Sequence, residues 1–185
     1  MNSTEYYRLL TDAIKNAPIE RIESLALEVE RCWRQGKQVF LCGNGGSAAN
    51  AIHIANDLVY GATKNLHKGG VKAVALPSNS AVITCLANDI SYEKIYSEQI
   101  ITFGSKGDLL IALSGSGNSP NIVAAIKVAK ERGMTTSAIL GFDGGLCLSM
   151  VDIAIHFNVQ DMQISEDLMI TVGHIIMKSL NNLTY

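Results

Sequence analysis

The sequence is poor in charged residues, aromatic residues and proline. Only 17% of its 185 residues are charged, 6% are aromatic and three are proline. Fifteen Lys and Arg residues stand against 17 Asp and Glu residues, so the chain has no basic excess with which to neutralise a nucleic-acid backbone. A nucleic-acid partner is therefore not expected.

Close cysteine pairs and long apolar runs are also missing. The four cysteines spell neither a disulfide framework nor a Cys-x-x-Cys zinc or redox motif, and they stand far apart at Cys32, Cys42, Cys85 and Cys147. No apolar run approaches the roughly 18 residues that cross a bilayer, and the first residues lack the basic and apolar regions of an export signal. These absences predict a cytoplasmic protein without a membrane partner.

The chain does contain an alternation of helix-like and strand-like segments. Apolar residues recur at helical spacing from Ser3 to Gly36, which predicts an N-terminal antiparallel helical hairpin. Five strand-like runs follow, at 38–42, 71–76, 109–113, 135–140 and 151–157. Helices are predicted over 47–60, 92–103, 120–132 and 163–180. This order predicts an α/β fold, a three-layer αβα sandwich around a five-stranded parallel sheet.

Length and hydrophobicity bear on domains and assembly. A chain of 185 residues fits a single domain over 1–185, with the hairpin at 1–36 and the core with the last helix at 37–185. The hydrophobic fraction is 48%, and the last helix is apolar nearly all round. We therefore expect the hairpin and the last helix to be buried between the subunits of a homotetramer.

Two turns that follow strands consist of small polar residues. The first is Gly-Asn-Gly-Gly-Ser at 43–47, and the second is Ser-Gly-Ser-Gly-Asn-Ser at 114–119. At the carboxyl ends of parallel strands, a helix N-terminus offers free N–H groups to an anion, glycines let the anion approach, and serines add donors. The second turn suits a phosphate monoester. For either turn alone, a purely structural role as a tight turn stays open.

Two nucleotide-binding alternatives are disfavoured. Gly43, Gly45 and Ala48 satisfy Gly-x-Gly-x-x-Ala, which is weak evidence for a dinucleotide site. Such a site also needs an acid at the end of the second strand, where this chain has Leu-Pro-Ser at 76–78. The chain also lacks the Gly-x-x-x-x-Gly-Lys-Ser/Thr motif of P-loop proteins.

Four ionisable residues fall on two predicted helices. His53 and Asp57 are four positions apart, hence on one helix face, where they could share a metal or a proton or simply be solvated. Glu166 and His174 lie on the apolar last helix, where an ionisable group needs a partner. Their eight-residue separation is about 12 Å of helix rise, so a common metal requires an irregular helix start or inward-leaning side chains.

Four motifs occur in order along the chain: Cys-Gly-Asn-Gly-Gly-Ser-Ala-Ala at 42–49, Ala-Asn-Asp at 87–89, Leu-Ser-Gly-Ser-Gly-Asn-Ser-Pro-Asn at 113–121, and Gly-Phe-Asp-Gly-Gly at 141–145. With them the chain resembles the sugar isomerase (SIS) domain family, and within it the phosphoheptose isomerases, over nearly its whole length. The resemblance implies a flavodoxin-like fold. It also implies interconversion of sedoheptulose 7-phosphate and heptose 7-phosphate, which supplies heptose for lipopolysaccharide or capsule.

The resemblance further implies which residues bind the substrate. Those expected to hold the sugar phosphate are Ser114, Ser116 and Ser119. Those expected to line the sugar are Asn44, Ser47 and Asp89. The predicted substrate-binding set is completed by Gly45, Gly115 and Glu166.

A zinc ion, one per subunit, is implied in the same way. The matching positions in this sequence are His53, Asp57, Glu166 and His174. Asp57 stands where the family has its catalytic glutamate, and Glu166 where it has glutamine, but all four residues remain competent zinc ligands. Asp57 is then the predicted base for the carbon-bound proton, and His174 handles protons at the sugar oxygens. The family arginine one turn later has no match, because Gly61 stands there.

Two alternatives follow from these departures. One is a non-catalytic SIS protein that binds a phosphosugar or a protein partner such as a replication initiator, although retention of His53 and His174 argues against it. The other is a SIS isomerase of a different phosphosugar, which the residues at Asp57, Glu166 and Gly61 favour.

Overall fold

The computed structural model describes residues 1–63 and 69–183. All five predicted strands are present: β1 (Gln38–Cys42), β2 (Lys72–Ala75), β3 (Leu109–Ser114), β4 (Thr135–Leu140) and β5 (Ile153–His156). The α-helices of the described residues are α1 (Ser3–Lys15), α2 (Ile19–Arg34), α3 (Gly46–Asn56), α4 (Ser80–Asp89), α5 (Ser97–Phe103), α6 (Pro120–Glu131), α7 (Cys147–Met150) and α8 (Met162–Asn181).

The five strands form one parallel sheet in the order β2-β1-β3-β4-β5. Strand β2 lies on one side of β1, and β3 and the later strands lie on the other. The direction in which successive strands are added therefore reverses between β1 and β3. Ligands of open α/β sheets bind at such a switch point, outside the carboxyl ends of the strands. Both glycine- and serine-rich turns begin there, directly after β1 and β3.

The core lies on both faces of the sheet, which confirms the three-layer α/β prediction. Leu41 and Ile111 point to one face, where they pack with residues of α2, α3 and α8. Phe40 and Leu110 point to the other face and pack with residues of α5 and α6. Every residue of β3 is buried, because the central strand of a doubly covered sheet has no solvent-facing side.

Three segments differ from the expected helices. The helix predicted over 47–60 stops at Asn56 and continues as a π-helical turn, Asp57–Gly61. Helix α4 was not expected; none of its residues is fully buried, although Ile83, Leu86 and Ala87 pack against the core. The segment 92–103 is broken into a 3₁₀ turn, Tyr92–Lys94, and the shorter helix α5.

Helix α1 is anchored on the last helix. The Tyr6 hydroxyl donates to Asp167 Oδ2 at 2.6 Å, and this bond to a carboxylate raises the pKa of Tyr6 to about 12. Apolar residues of α1 also pack against the core cluster that α8 helps to form. None of the helices in the described part of the chain is long and apolar enough to span a membrane.

Candidate functional site

A cavity of about 270 Å³ lies at the carboxyl ends of β1 and β3. It holds every predicted substrate-binding residue except Asp89, and it is lined by Asn44, Gly45, Gly46, Ser47, Leu113, Ser114, Gly115, Ser116, Ser119, Met162 and Glu166. The first helical turns of α3, α6 and α8 all reach this cavity. Three helix N-termini therefore favour negative charge at one place.

The turn after β3 presents hydroxyl groups to this cavity. Ser114 Oγ accepts a hydrogen bond from the Gly117 N–H at 3.0 Å, and Ser116 Oγ accepts one from the Asn118 N–H at 3.3 Å. Because each hydroxyl is used there as an acceptor, its own hydrogen is left to donate to a ligand. Ser119 is the N-cap of α6, and its side chain makes no capping hydrogen bond. Such donors at a helix N-terminus suit a phosphate group.

This turn is braced by the loop that follows β4. Gly117 has a φ of 65°, and a Cβ built on it would lie 2.0 Å from the carbonyl oxygen of Gly144. The loop itself contains Phe142, which has a φ of 44°, an uncommon value for a bulky residue. His156 on β5 holds the loop after β4 through a contact of 2.8 Å between its Nε2 and the Phe142 carbonyl oxygen. Backbone packing thus fixes the shape of this turn, to which phosphate binding is predicted.

A second group of functional side chains lies between α3 and α8. His53 Nε2 is 3.7 Å from Asp57 Oδ2, His174 Nε2 is 3.6 Å from the same oxygen, and the two Nε2 atoms are 3.4 Å apart. The imidazole rings meet edge to face, with 5.2 Å between centroids. These three donors could hold one metal ion. The structure thus brings together three of the four predicted metal ligands.

Two features of the helices bring these side chains together. Helices α3 and α8 run in the same direction, so Asn50 Nδ2 donates to the Glu166 carbonyl near their starts at 2.8 Å, and the histidines meet further along. They approach closely at Gly173, where a Cβ would lie 2.4 Å from Ile54 Cγ1. Asp57 begins the π-helical turn, which puts it at a change of helical register. Such turns occur frequently at functional sites.

Glu166 does not join the two histidines. A Cβ on Gly46 would lie 2.3 Å from Glu166 Oε2, so the carboxylate rests against the first residue of α3, in the cavity with the serines. Helix α8 is regular from its N-cap onward, which leaves Glu166 about 12 Å of rise from His174. The geometry thus places the Glu166 carboxylate in the serine-lined cavity and outside the group formed by His53, Asp57 and His174.

Asp89 lies apart from the cavity. It is the last residue of α4 and is exposed, and Asn88 Nδ2 donates to its carboxylate at 2.8 Å. That hydrogen bond, with a weaker one from the Cys85 thiol, lowers the pKa of Asp89. Asp89 is thus the one predicted substrate-binding residue that does not line this cavity, and its role stays a prediction.

Two residues of the site had no predicted role. Asn121 on α6 is 1% exposed and pairs with Asn44, and Tyr96 is 2% exposed and donates to the Gly43 carbonyl. Asn121 ends the second serine-rich motif, so its place in that motif could have drawn attention to it. Tyr96 precedes α5 and belongs to no motif.

The fold and this pair of turns define a class of protein. A family model described as the SIS domain matches residues 4–141. Among characterised proteins, the phosphoheptose isomerase of Clostridium acetobutylicum is 42% identical over 158 residues, which are 85% of this chain and 80% of that protein. That of Chlorobaculum parvum is 33% identical over 181 residues, covering 96% of this chain and 86% of that protein.

Solved structures agree with these matches. The phosphoheptose isomerase of Neisseria gonorrhoeae has a TM-score of 0.88 and 28% identity, covering 97% of this chain and 95% of that one. The phosphoheptose isomerase of Francisella tularensis, 23% identical, shares the fold with a TM-score of 0.90, covering 99% of this chain and 100% of that one. The chain belongs to the phosphoheptose isomerase family of SIS-domain proteins.

Proposed function

We propose that this chain interconverts sedoheptulose 7-phosphate and heptose 7-phosphate, an aldose–ketose isomerisation. One observation carries the proposal: the serine-rich cavity and the His53–Asp57–His174 cluster lie along the same two parallel helices. A phosphate held by the serines therefore leaves the rest of the sugar chain free to run along α3 and α8 toward the cluster. The family membership supports the same reaction.

The donor set of the cluster fits zinc. Zinc bonds to His nitrogen and carboxylate oxygen measure about 2.0–2.2 Å, so tetrahedral ligand atoms lie about 3.3–3.6 Å apart. The three donor atoms here are 3.4, 3.6 and 3.7 Å apart. His53, Asp57 and His174 would hold one zinc per subunit, with a fourth position left for water or substrate. Bound there, the metal would stabilise negative charge on a sugar oxygen.

Two residues of the cluster perform the proton transfers. The Asp57 carboxylate takes the proton from C2 of the aldose and returns it to C1 to give the ketose. The reverse reaction takes it from C1. His174 moves the matching proton between the oxygens on these two carbons, so no oxidant or reductant is consumed. The remote phosphate on Ser114, Ser116 and Ser119 supplies binding energy that positions the reacting carbons.

A deuterium-exchange assay tests this function. The protein is incubated with sedoheptulose 7-phosphate in deuterated buffer, and NMR follows both heptose formation and deuterium at C1 of the ketose. The control is Glu23→Gln, which changes an exposed residue of α2 outside the cavity and the cluster, and it should retain turnover. His53→Ala should abolish it. Absence of both product and exchange in the metal-loaded wild type would contradict an isomerase role and leave phosphosugar binding.

Isomerisation of another phosphosugar is the second candidate, because Asp57 is one methylene shorter than the family glutamate. A cavity of about 510 Å³ beside Asp57 also lies open at Gly61, where no side chain fills it. Parallel assays with five-, six- and seven-carbon ketose phosphates decide between the substrates. The highest kcat/KM for a five- or six-carbon sugar would favour this candidate.

We also propose that the active form is a homotetramer and that its product supplies heptose for lipopolysaccharide or capsule. The outer surfaces of α3, the π-helical turn and α8 expose apolar side chains beside the cluster, namely Ile52, Val59, Tyr60 and Ile175. A second copy would cover them. Light scattering at micromolar concentration should give four times the 19.9 kDa chain mass. A monodisperse monomer would contradict the assembly.

A further inference from the structure

Two side-chain amides without a predicted pairing hydrogen-bond to each other between the turn after β1 and the start of α6. Asn44 Nδ2 donates to Asn121 Oδ1 at 2.9 Å, and Asn121 Nδ2 donates to Asn44 Oδ1 at 2.8 Å. Asn44 belongs to the turn after β1, and Asn121 lies in the first turn of α6. The pair therefore links the turn after β1, which carries the predicted sugar-binding residues, to the turn after β3, which carries the predicted phosphate-binding serines, across the switch point of the sheet.

Two tyrosines decide which way the Asn44 amide faces. The Tyr92 hydroxyl lies 3.2 Å from Asn44 Oδ1 and donates to it. Tyr96 gives its one hydrogen to the Gly43 carbonyl and lies 3.4 Å from the same Asn44 oxygen. Rotating the Asn44 amide by half a turn would place its NH₂ group against Tyr92 and against the Asn121 NH₂ group. With its oxygen toward Tyr92, Asn44 accepts from the Tyr92 hydroxyl and from the Asn121 amide, and its NH₂ group donates to Asn121.

This orientation leaves one donor over. An amide NH₂ has two hydrogens, and within the described part of the chain Asn44 Nδ2 gives one of them to Asn121. Asn44 also lines the cavity that holds the serines and Glu166. Its oxygen is already engaged by Asn121 and Tyr92, so a ligand in the cavity meets a donor.

We infer that Asn121 and Tyr92 are positioning residues that hold Asn44 as a hydrogen-bond donor to an oxygen of the bound sugar. The identity of the ligand as a sugar rests on the proposed function, whereas the hydrogen-bonded amide pair is independent of it. Asn121 is 1% exposed, so no water competes for its amide. The donor is thereby fixed before the sugar arrives, which lowers the entropy lost on binding.

Kinetics of two variants, each with a control variant, test the positioning role. Asn121→Ala releases Asn44 and should lower kcat/KM at least about tenfold, as expected for a misplaced hydrogen-bond donor. Its stability control is Ala125→Gly, a buried change on the same helix that should lower the melting temperature and leave kcat/KM within twofold. Tyr92→Phe should raise KM about two- to fivefold at an unchanged melting temperature, since it removes one hydroxyl. Tyr7→Phe, on α1, should change nothing. Equal kcat/KM losses in Asn121→Ala and Ala125→Gly would overturn the inference.

Side-chain amide NMR separates this inference from the proposed function. Without any ligand, the wild type should show two Asn amide groups with slowly exchanging protons, and Asn121→Ala should lose both. Sedoheptulose 7-phosphate should then shift the second Asn44 Nδ2 proton, while inorganic phosphate, which has no sugar oxygens, should not. Fast-exchanging amides in the wild type would refute the pair whatever the enzyme does. Intact amides without turnover would refute only the isomerase proposal. An Asn44 proton that does not move with the sugar would refute its role as donor.

Discussion

Gly117 is the position where the turn after β3, the proposed phosphate-binding turn, can be disturbed without removing any of its hydroxyls. Its φ of 65° costs a residue with a side chain about 1–2 kcal/mol. An added Cβ would also lie 2.0 Å from the Gly144 carbonyl oxygen, so Gly117→Ala must push two backbone segments apart. Displacing one donor from a charged group removes about 1.5–3 kcal/mol, which corresponds to a rise in KM of about 10- to 150-fold.

Gly133→Ala is the matched control. Its φ is 70°, and its Cβ would meet only the flexible Lys106 side chain, at 3.3 Å. It should therefore lose similar stability through backbone strain while KM stays unchanged. Steady-state kinetics with sedoheptulose 7-phosphate and thermal unfolding would be measured on both variants. A KM for Gly117→Ala within twofold of that for Gly133→Ala would refute the reasoning about this turn.

The remaining predictions concern the cluster and the helix anchor. His174→Ala should release bound metal, because only two donors remain. Elemental analysis after dialysis checks this, and retained metal would count against the cluster. Asp57→Glu should keep or raise heptose isomerisation. Asp57→Asn should lower kcat and change KM less, if Asp57 moves the carbon-bound proton. A parallel loss of metal in Asp57→Asn would instead make Asp57 chiefly a ligand. Tyr6→Phe should lose about 0.5 kcal/mol of unfolding free energy at pH 7, since its bond to Asp167 is exposed. Because the folded-state pKa of Tyr6 is raised from 10.0 to about 12, wild type should hold this advantage below pH 10 and lose it between pH 10 and 12, as denaturant titrations would show. A difference independent of pH would contradict that cause.

The sheet could be predicted because its strands are short apolar runs separated by clear turn residues. Helix α4 could not, because nothing in it is buried and Val82, Ile83 and Thr84 are β-branched residues that favour strands. The π-helical turn at Asp57 was also beyond sequence reasoning. An i, i+4 spacing looks the same whether the helix stays regular or widens after the second residue.

The site was predictable to the extent that motifs lie on neighbouring turns. The serines and glycines share a cavity because parallel strands end at the same edge of the sheet. Glu166 was predicted beside the two histidines because residue type says what can coordinate, but the rise of a regular helix puts its carboxylate in the cavity instead. Asp89 ends α4, a helix that the sequence did not reveal, and it is not among the residues that line the cavity. The role of Asn121 depends on a partner 77 positions away.

The Glu166 carboxylate rests against Gly46, so the position of this negative charge in the cavity depends on the size of an uncharged residue. Alanine is well suited to the first position of a helix, so Gly46→Ala would leave α3 intact, yet its methyl group needs the space that the Glu166 carboxylate now occupies. The carboxylate can swing away at low cost because it ends a flexible side chain. Gly46→Ala would therefore displace the negative charge of Glu166 from its present position, so the placement of that charge in the cavity depends on the size of residue 46 as well as on the acid at 166.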